Sequence, residues 1–315
     1  LNKPKIIFMG TPEFAVPSLV SLIEHGHNVM AVVTQPDRAR GRGRKVTYSP
    51  VKGTALKYGL NVFQPHRASD TEFCQTISEM RPDLLIVIAF GQILNRELLS
   101  IPRLGPLNIH PSLLPRYRGP APIQWTILND DKLTGLTAIR MDTSLDTGPV
   151  ILQKEVHVLP DETAGQLHNR LAVMSGDFLL EIIEKLVQGN LHETPQDDSL
   201  SSYAPKINTS NCFIKWNQDA WKISAFIRGL DPWPGAITMV RGKRLKLFAS
   251  TVVDRTFAGI PGRVHDFDGE GLHIETSCGL VSVRELQLPG KKRLAAPDFL
   301  RGFPIEKGTV LKNGR

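Results

Sequence analysis

Three side chains in this sequence, Asn108, His110 and Asp146, could together pass an acyl group to an amine. Moving a one-carbon acyl unit between nitrogens makes three demands. The attacking nitrogen must lose its proton, the tetrahedral oxyanion must meet donors placed beforehand, and the departing nitrogen must be protonated. The Asn108 amide can donate to the oxyanion. The His110 imidazole can donate to it as well, or relay a proton near neutrality. Asp146 could fix the imidazole tautomer and favour its charged form, or accept a proton directly or through water. No nucleophilic Cys or Ser is required, so direct transfer without a covalent enzyme intermediate is expected. Singly, each residue has a plainer reading. A lone His at a strand end is more often structural, and Asp146-Thr147-Gly148 suits a turn. The prolines at 111, 115, 120 and 122 could simply stiffen a loop.

Elements that would position these groups are visible in the pattern. Gly105–His110 reads as a short strand, on which Asn108 and His110 share one face while Leu107 and Ile109 take the other. Pro111 then ends the ladder, because it has no N–H to donate. The pair therefore sits at the carboxyl end of a strand, where open α/β sheets place their chemistry. Apolar runs alternate with helical patterns through the first 190 residues, the βαβ rhythm of a mostly parallel sheet. Strands are expected at 5–9, 29–34, 61–63, 84–89, 107–110, 136–141 and 150–156, and helices at 16–24, 50–58, 71–79 and 164–186. Thr163 and Gln166 have the spacing of a capping box for the last helix, and Leu167, Leu171, Met174, Phe178 and Ile182 form its core stripe. Periodicity fades over 188–208. A helix at 221–228 and short runs at 236–240, 243–253, 262–266, 272–277 and 280–288 follow, the signature of a small antiparallel barrel. The fold class is thus α/β: an N-terminal Rossmann-like, mostly parallel sheet with helices on both faces, plus a C-terminal OB-like β-barrel. The expected domains are a catalytic one at 1–187, a linker at 188–208 and a basic barrel at 209–315.

Composition narrows the setting. The net charge is +7; residues 209–315 carry 17 Lys and Arg against 10 Asp and Glu, while the charges of residues 1–208 cancel. A segregated basic domain attracts polyanions, nucleic acid first, although a merely soluble basic surface has the same composition. Five cations, Arg38, Arg40, Arg42, Arg44 and Lys45, fall within eight residues and are interleaved with two glycines, which reads as a mobile loop able to order on phosphates. Cys74, Cys212 and Cys278 are too few and too scattered for a disulfide framework. Together with the lack of a long apolar run or signal-like start, they point to cytoplasm. No His, Cys or Asp spacing suits a metal, so none is expected.

The run Asn108-Ile109-His110-Pro111-Ser112-Leu113-Leu114-Pro115-Arg116-Tyr117-Arg118-Gly119, joined to Leu145-Asp146-Thr147-Gly148, resembles the folate-dependent formyltransferases, which use 10-formyltetrahydrofolate. The resemblance implies catalytic roles for Asn108, His110 and Asp146. It places the folate against Ser112, Leu113, Leu114 and Pro115. The pterin would lie near Phe90, Gly91, Gln92, Ile93, Leu94 and the loop 141–145, including Asp142. The resemblance runs nearly end to end and is nearest to the family's tRNA-acting members, through the opening Phe8-Met9-Gly10-Thr11-Pro12-Glu13-Phe14-Ala15, the basic segment and the entry to the second domain at 221–236. It implies formylation of the α-amino group of methionine on initiator tRNA, with Arg38, Arg40, Arg42, Arg44 and Lys45 meeting the tRNA; separately, a monomer is expected. The alternative is a sugar-nucleotide N-formyltransferase using the same folate donor. Trp221 and Trp233 are expected to be core and packing residues rather than stacking platforms.

Overall fold

In a computed structural model that describes residues 3–40 and 45–313, the first sheet orders its strands β5-β2-β1-β6-β7-β8-β9. These are β1 (Lys5–Gly10), β2 (Asn28–Val33), β5 (Val62–Phe63), β6 (Leu84–Ile88), β7 (Pro106–His110), β8 (Leu133–Arg140) and β9 (Val150–His157). Strands β5 through β7 run parallel and β8 is antiparallel to β7. The five residues of β6 are all buried, as are Ile6 through Gly10 of β1. Continuous burial in place of alternation means that both faces are covered. On one face Ile7, Met9, Leu85 and Val87 pack with Cys74 and Ile77 of α3 (Thr71–Met80) and with Leu98 and Leu99 of α4 (Arg96–Leu99). Elsewhere α1 (Val16–Glu24) meets α6 (Ala164–Val187) through the Ser18–Ser175 hydroxyl pair at 2.7 Å. The capping box of α6 forms as the spacing predicts: Thr163 N donates to Gln166 Oε1 and Gln166 N to Thr163 Oγ1.

The cationic segment differs from a simple loop. Arg38–Arg40 (β3) and Lys45–Thr47 (β4) pair as an antiparallel hairpin, ahead of α2 (Pro50–Lys57). Arg42 and Arg44 lie outside the described residues, and Arg40 and Lys45 are described by their backbone alone.

The chain divides into two compact units: 1–119, 134–156 and 168–203 form one, and 120–133, 157–167 and 204–315 the other. The second unit contains α5 (Pro122–Leu128), α7 (Ala220–Gly229), α8 (Ala296–Gly302) and an antiparallel sheet ordered β10-β11-β14-β13-β12. Its strands are β10 (Ala236–Val240), β11 (Lys243–Asp254), β12 (Val264–Phe267), β13 (Leu272–Glu275) and β14 (Leu280–Gln287), with β15 (Leu294–Ala295) beside β14. The segment 308–312 closes this path. It exchanges backbone hydrogen bonds with Met239 of β10 on one side and with Gly262 and Val264 on the other. Trp216, Ile223, Ile227, Leu245, Leu247, Val281 and Val283 fill the interior.

Two tryptophans depart from the core reading. Trp233 is 67% exposed and Trp221 37%, whereas the buried indole is Trp216, which donates to Thr238 Oγ1 at 3.0 Å. Helix α7 buries residues 220, 223, 224, 227 and 228, which turns position 221 outward. Trp233 sits between prolines in the turn leading to β10, where no helix or strand face draws it inward. Among the described residues no helix is long and apolar enough to cross a membrane.

Candidate active site

The order of strands in the first sheet reverses between β1 and β6, so a crevice is expected at their carboxyl ends. A cleft of about 260 Å³ lies there, lined by Thr11, Gln35, Arg38, Ser49, Phe90 and Gly91 among others. Thr11 Oγ1 donates to the Phe90 carbonyl at 2.9 Å and Gln35 Nε2 to the Gly91 carbonyl at 3.0 Å, fixing the loop after β6. Because β7 is parallel to β6, His110 emerges at the same edge of the sheet.

Asn108, His110 and Asp146 converge. Asn108 Nδ2 lies 3.5 Å from Asp146 Oδ1, and His110 Nδ1 lies 3.7 Å from Asp146 Oδ2. The carboxylate is 13% exposed and the imidazole 7%. At 3.7 Å the ring and the acid are not hydrogen-bonded. The tautomer is set elsewhere: His110 Nε2 lies 2.8 Å from the Tyr117 carbonyl oxygen. A carbonyl only accepts, so Nε2 carries the proton and Nδ1 of the neutral ring is bare. The expectation that Asp146 fixes the tautomer is therefore corrected, since a backbone group does so. What faces the acid is an open proton acceptor, whose charged form would gain an ion pair.

Local backbone places the acid. Asp146 has φ of 56°, in the left-handed region, and Tyr117 has φ of 60°. Non-glycine residues there are strained and gather at functional sites. Gly119 N donates to Asp146 Oδ2 at 2.8 Å. Gly148, two residues on, faces the β8 end so closely that a Cβ would overlap the Arg140 carbonyl oxygen, which accounts for the glycine of the Asp-Thr-Gly turn.

The remaining expected site residues fall into two groups. Phe90, Leu94, Ser112 and Leu114 are buried, with the Ser112 hydroxyl given to the Arg116 carbonyl and the Leu114 amide to Thr137. Leu113 and Pro115 are half-buried beside them. Gln92 is spent as a clamp between Ala68 N and the Pro65 carbonyl, and Asp142 caps its own loop through Ser144 N and Thr147 Oγ1. By contrast Ile93 is 85% exposed and Leu145 56%, and Gly91 is open with φ of 82°. Met141 packs on the same core cluster as Phe90 and Leu94, so the two loops share an anchor. Of the proposed tRNA contacts only Arg38 is described with its side chain, exposed and bonded to Gln35 Oε1 at 3.2 Å.

A family model for formyl transferases matches residues 4–183, and one for the formyl transferase C-terminal domain matches 206–304. A methionyl-tRNA formyltransferase from Pelobacter propionicus is 46% identical over 311 residues, covering 99% of this chain and 97% of that one. The chain belongs to the methionyl-tRNA formyltransferase family. Solved structures share its fold at lower identity. The sugar 3N-formyl transferase WlaRD aligns with a TM-score of 0.69 and 21% identity over 92% of this chain and 99% of its own. HypX from Aquifex aeolicus aligns with a TM-score of 0.66 and 20% identity over 98% of this chain, which spans about half (50%) of that protein.

Sequence reasoning overlooked the Tyr117 carbonyl, the Gly119 amide and the side chains of Arg118 and Gln196. The two backbone groups leave no mark in residue types. Arg118 was visible inside the proline-rich run, and its burial (13% exposed) was the missing signal.

Proposed function

We propose that the chain transfers the formyl group of 10-formyltetrahydrofolate to the α-amino group of methionine esterified to initiator tRNA, the product used to start translation. Convergence of Asn108, His110 and Asp146 in a member of this family carries the reading. Attack is direct. One N–H of Asn108 faces Asp146, and the other is free to donate to the oxyanion that grows on the formyl oxygen. The neutral amine attacks the formyl carbon. His110 Nδ1, the one bare ring nitrogen, takes the proton that the attacking nitrogen gives up in the tetrahedral intermediate, and the Asp146 carboxylate beside it stabilises the imidazolium. Returned to the donor nitrogen, that proton lets tetrahydrofolate leave. Esterification lowers the basicity of the methionine amine, so a neutral fraction is present near neutrality.

The folate donor supplies an activated formyl group. Exposed Ile93 and Leu145, on loops with a common anchor, would flank its pterin, and the backbone of Gly91 offers polar edges. The buried residues Phe90, Leu94, Ser112 and Leu114 shape that pocket from behind. On the tRNA side, the basic segment of Arg38, Arg40, Arg42, Arg44 and Lys45 meets acceptor-stem phosphates. In the second unit, the exposed cations Arg241, Lys243 and Arg244 at the β10–β11 turn add a basic surface. The enzyme acts as a cytoplasmic monomer and uses no metal.

The test is incubation with the folate donor and, separately, methionyl-tRNA, free methionine and an amino-sugar nucleotide. Formylated methionyl-tRNA is expected. Product from the sugar nucleotide alone would instead make the chain a sugar N-formyltransferase.

A further inference from the structure

The polar stretch 190–203, unremarkable in sequence, contacts the site at several points. Thr194 exchanges two backbone hydrogen bonds of 2.8 Å with Val150. Ser202 Oγ accepts from Tyr117 N at 2.9 Å, and the Ser202 carbonyl accepts from Arg118 N at 2.9 Å. Tyr117 is the residue whose carbonyl holds His110. Gln196 is half-buried between exposed neighbours, and its side chain points at the loop of the acid. Its Nε2 donates to the Asp146 carbonyl at 2.8 Å and to the Gly148 carbonyl at 2.7 Å. Its Oε1 accepts from Arg118 Nε and Nη2 at 3.0 and 2.8 Å, and Arg118 is tied in turn to Asp198 at 2.7 Å.

We infer that Gln196 is a positioning residue for formyl transfer: it holds Asp146 in its left-handed conformation, so that the carboxylate faces Asn108 and His110. Left to itself a non-glycine residue leaves that backbone region, which is strained for any side chain. The carboxylate has its own tether in Gly119 N, but one bond to a terminal oxygen does not fix a peptide plane. The two bonds from Gln196 fix the Asp146–Thr147 and Gly148–Pro149 peptide planes. An amide suits the task because it donates two N–H groups to the carbonyls and accepts from the guanidinium at its other end. The guanidinium ends in a carboxylate, so the whole chain of contacts is satisfied within this unit. A linker would have no reason to bury such a network.

The inference rests on the reading of Asp146 as part of the site, and the test separates the two. Gln196→Met keeps length and removes both donors; Gln196→Glu keeps the acceptor for Arg118 and also removes them. Both variants should fold, with thermal midpoints close to wild type, and lose turnover by about a hundredfold, the effect of misplacing a reacting group by about 1 Å. KM for methionyl-tRNA and for the folate should stay within about twofold, since neither substrate touches Gln196. Near-normal turnover of Gln196→Glu would mean that only the Arg118 contact matters, and would overturn the assignment. The second arm places Gln196→Met in an Asp146→Ala background. If Gln196 acts through Asp146, the double variant turns over no more slowly than Asp146→Ala alone. Losses that multiply overturn the positioning role while leaving Asp146 in place. An Asp146→Ala enzyme with near-normal turnover overturns the reading of the acid itself, and the positioning role with it.

Discussion

Each unit of this molecule contains a carboxylate beside a histidine, and the two are built in opposite ways. In the barrel, Glu275 is 2% exposed and has no spare oxygen: Oε1 accepts from Arg263 Nε and His265 Nδ1, at 3.0 and 3.2 Å, and Oε2 from Ile260 N and Arg263 at 2.7 to 2.9 Å. In the first unit, Asp146 takes one short bond, from Gly119 N, while its approaches to Asn108 and His110 are 3.5 and 3.7 Å. Saturation holds a fold together. A carboxylate that must respond to a proton arriving on its neighbour needs slack in the resting state, and contacts of this kind tighten as charge develops. The same pair of residue types thus serves structure in one place and chemistry in the other, and the difference lies in how many donors reach the acid.

The largest effect should come from the slack pair. Asp146→Asn leaves the fold in place and removes the negative charge, so turnover should drop by about a thousandfold, within the range for loss of acid–base assistance. Steady-state kinetics with methionyl-tRNA, beside a thermal melt, measure both halves. Near-normal turnover would refute the contrast. Glu275→Ala should behave in the reverse way, with formylation per folded molecule unchanged and stability lowered by about 3 kcal/mol in a urea titration, since it strips Arg263 and His265 of their partner.

The saturated pair also makes a prediction about pH. Burial pushes the Glu275 carboxyl up, but the Arg263 guanidinium, the Ile260 N–H and His265 outweigh it and hold the group below the usual carboxylate range. A folded-state pKa below the unfolded value contributes stability that is present above the unfolded carboxyl pKa. That stability is lost as pH falls through the lower, folded one. The stability gap between wild type and Glu275→Gln should therefore be full at neutral pH and close on acidification below about pH 4, the usual glutamate range. A gap that stays constant with pH would remove the charge from the explanation.

Much of this was legible beforehand, and the exceptions have a common cause. The strand at 84–88 announces itself through a continuous apolar run, and the capping box of α6 through two residue types at fixed spacing. Asn108 and His110 were readable because alternation on a strand fixes their face. What escaped was carried by backbone or by polar residues without period. The Tyr117 carbonyl has no residue signature, Gln196 lies in a stretch whose composition suits a linker, and α5 is a short helix hidden behind prolines. The exposed indole of Trp233 escaped for the converse reason: apolar character alone does not place a side chain that the backbone has turned outward.

A third carboxylate sharpens the comparison at the smallest scale. Asp37, just before the cationic hairpin, accepts from Lys52 Nζ at 2.5 Å and from Gln64 Nε2 at 2.9 Å, and these bonds hold it below the usual range. It takes one short bond on each oxygen, and it sits at the foot of the β3–β4 hairpin. Replacing Arg38, Arg40, Arg42 and Arg44 by Gln should leave these bonds, the stability and the folate KM unchanged. KM for methionyl-tRNA should rise about tenfold, and its dependence on salt should become shallower by about 0.7–0.9 in log–log slope for each phosphate no longer neutralised. If the slope stays the same while KM rises, the arginines act by shaping the cleft at Arg38 and not by neutralising phosphates. The hairpin would then belong with the positioning elements of the site.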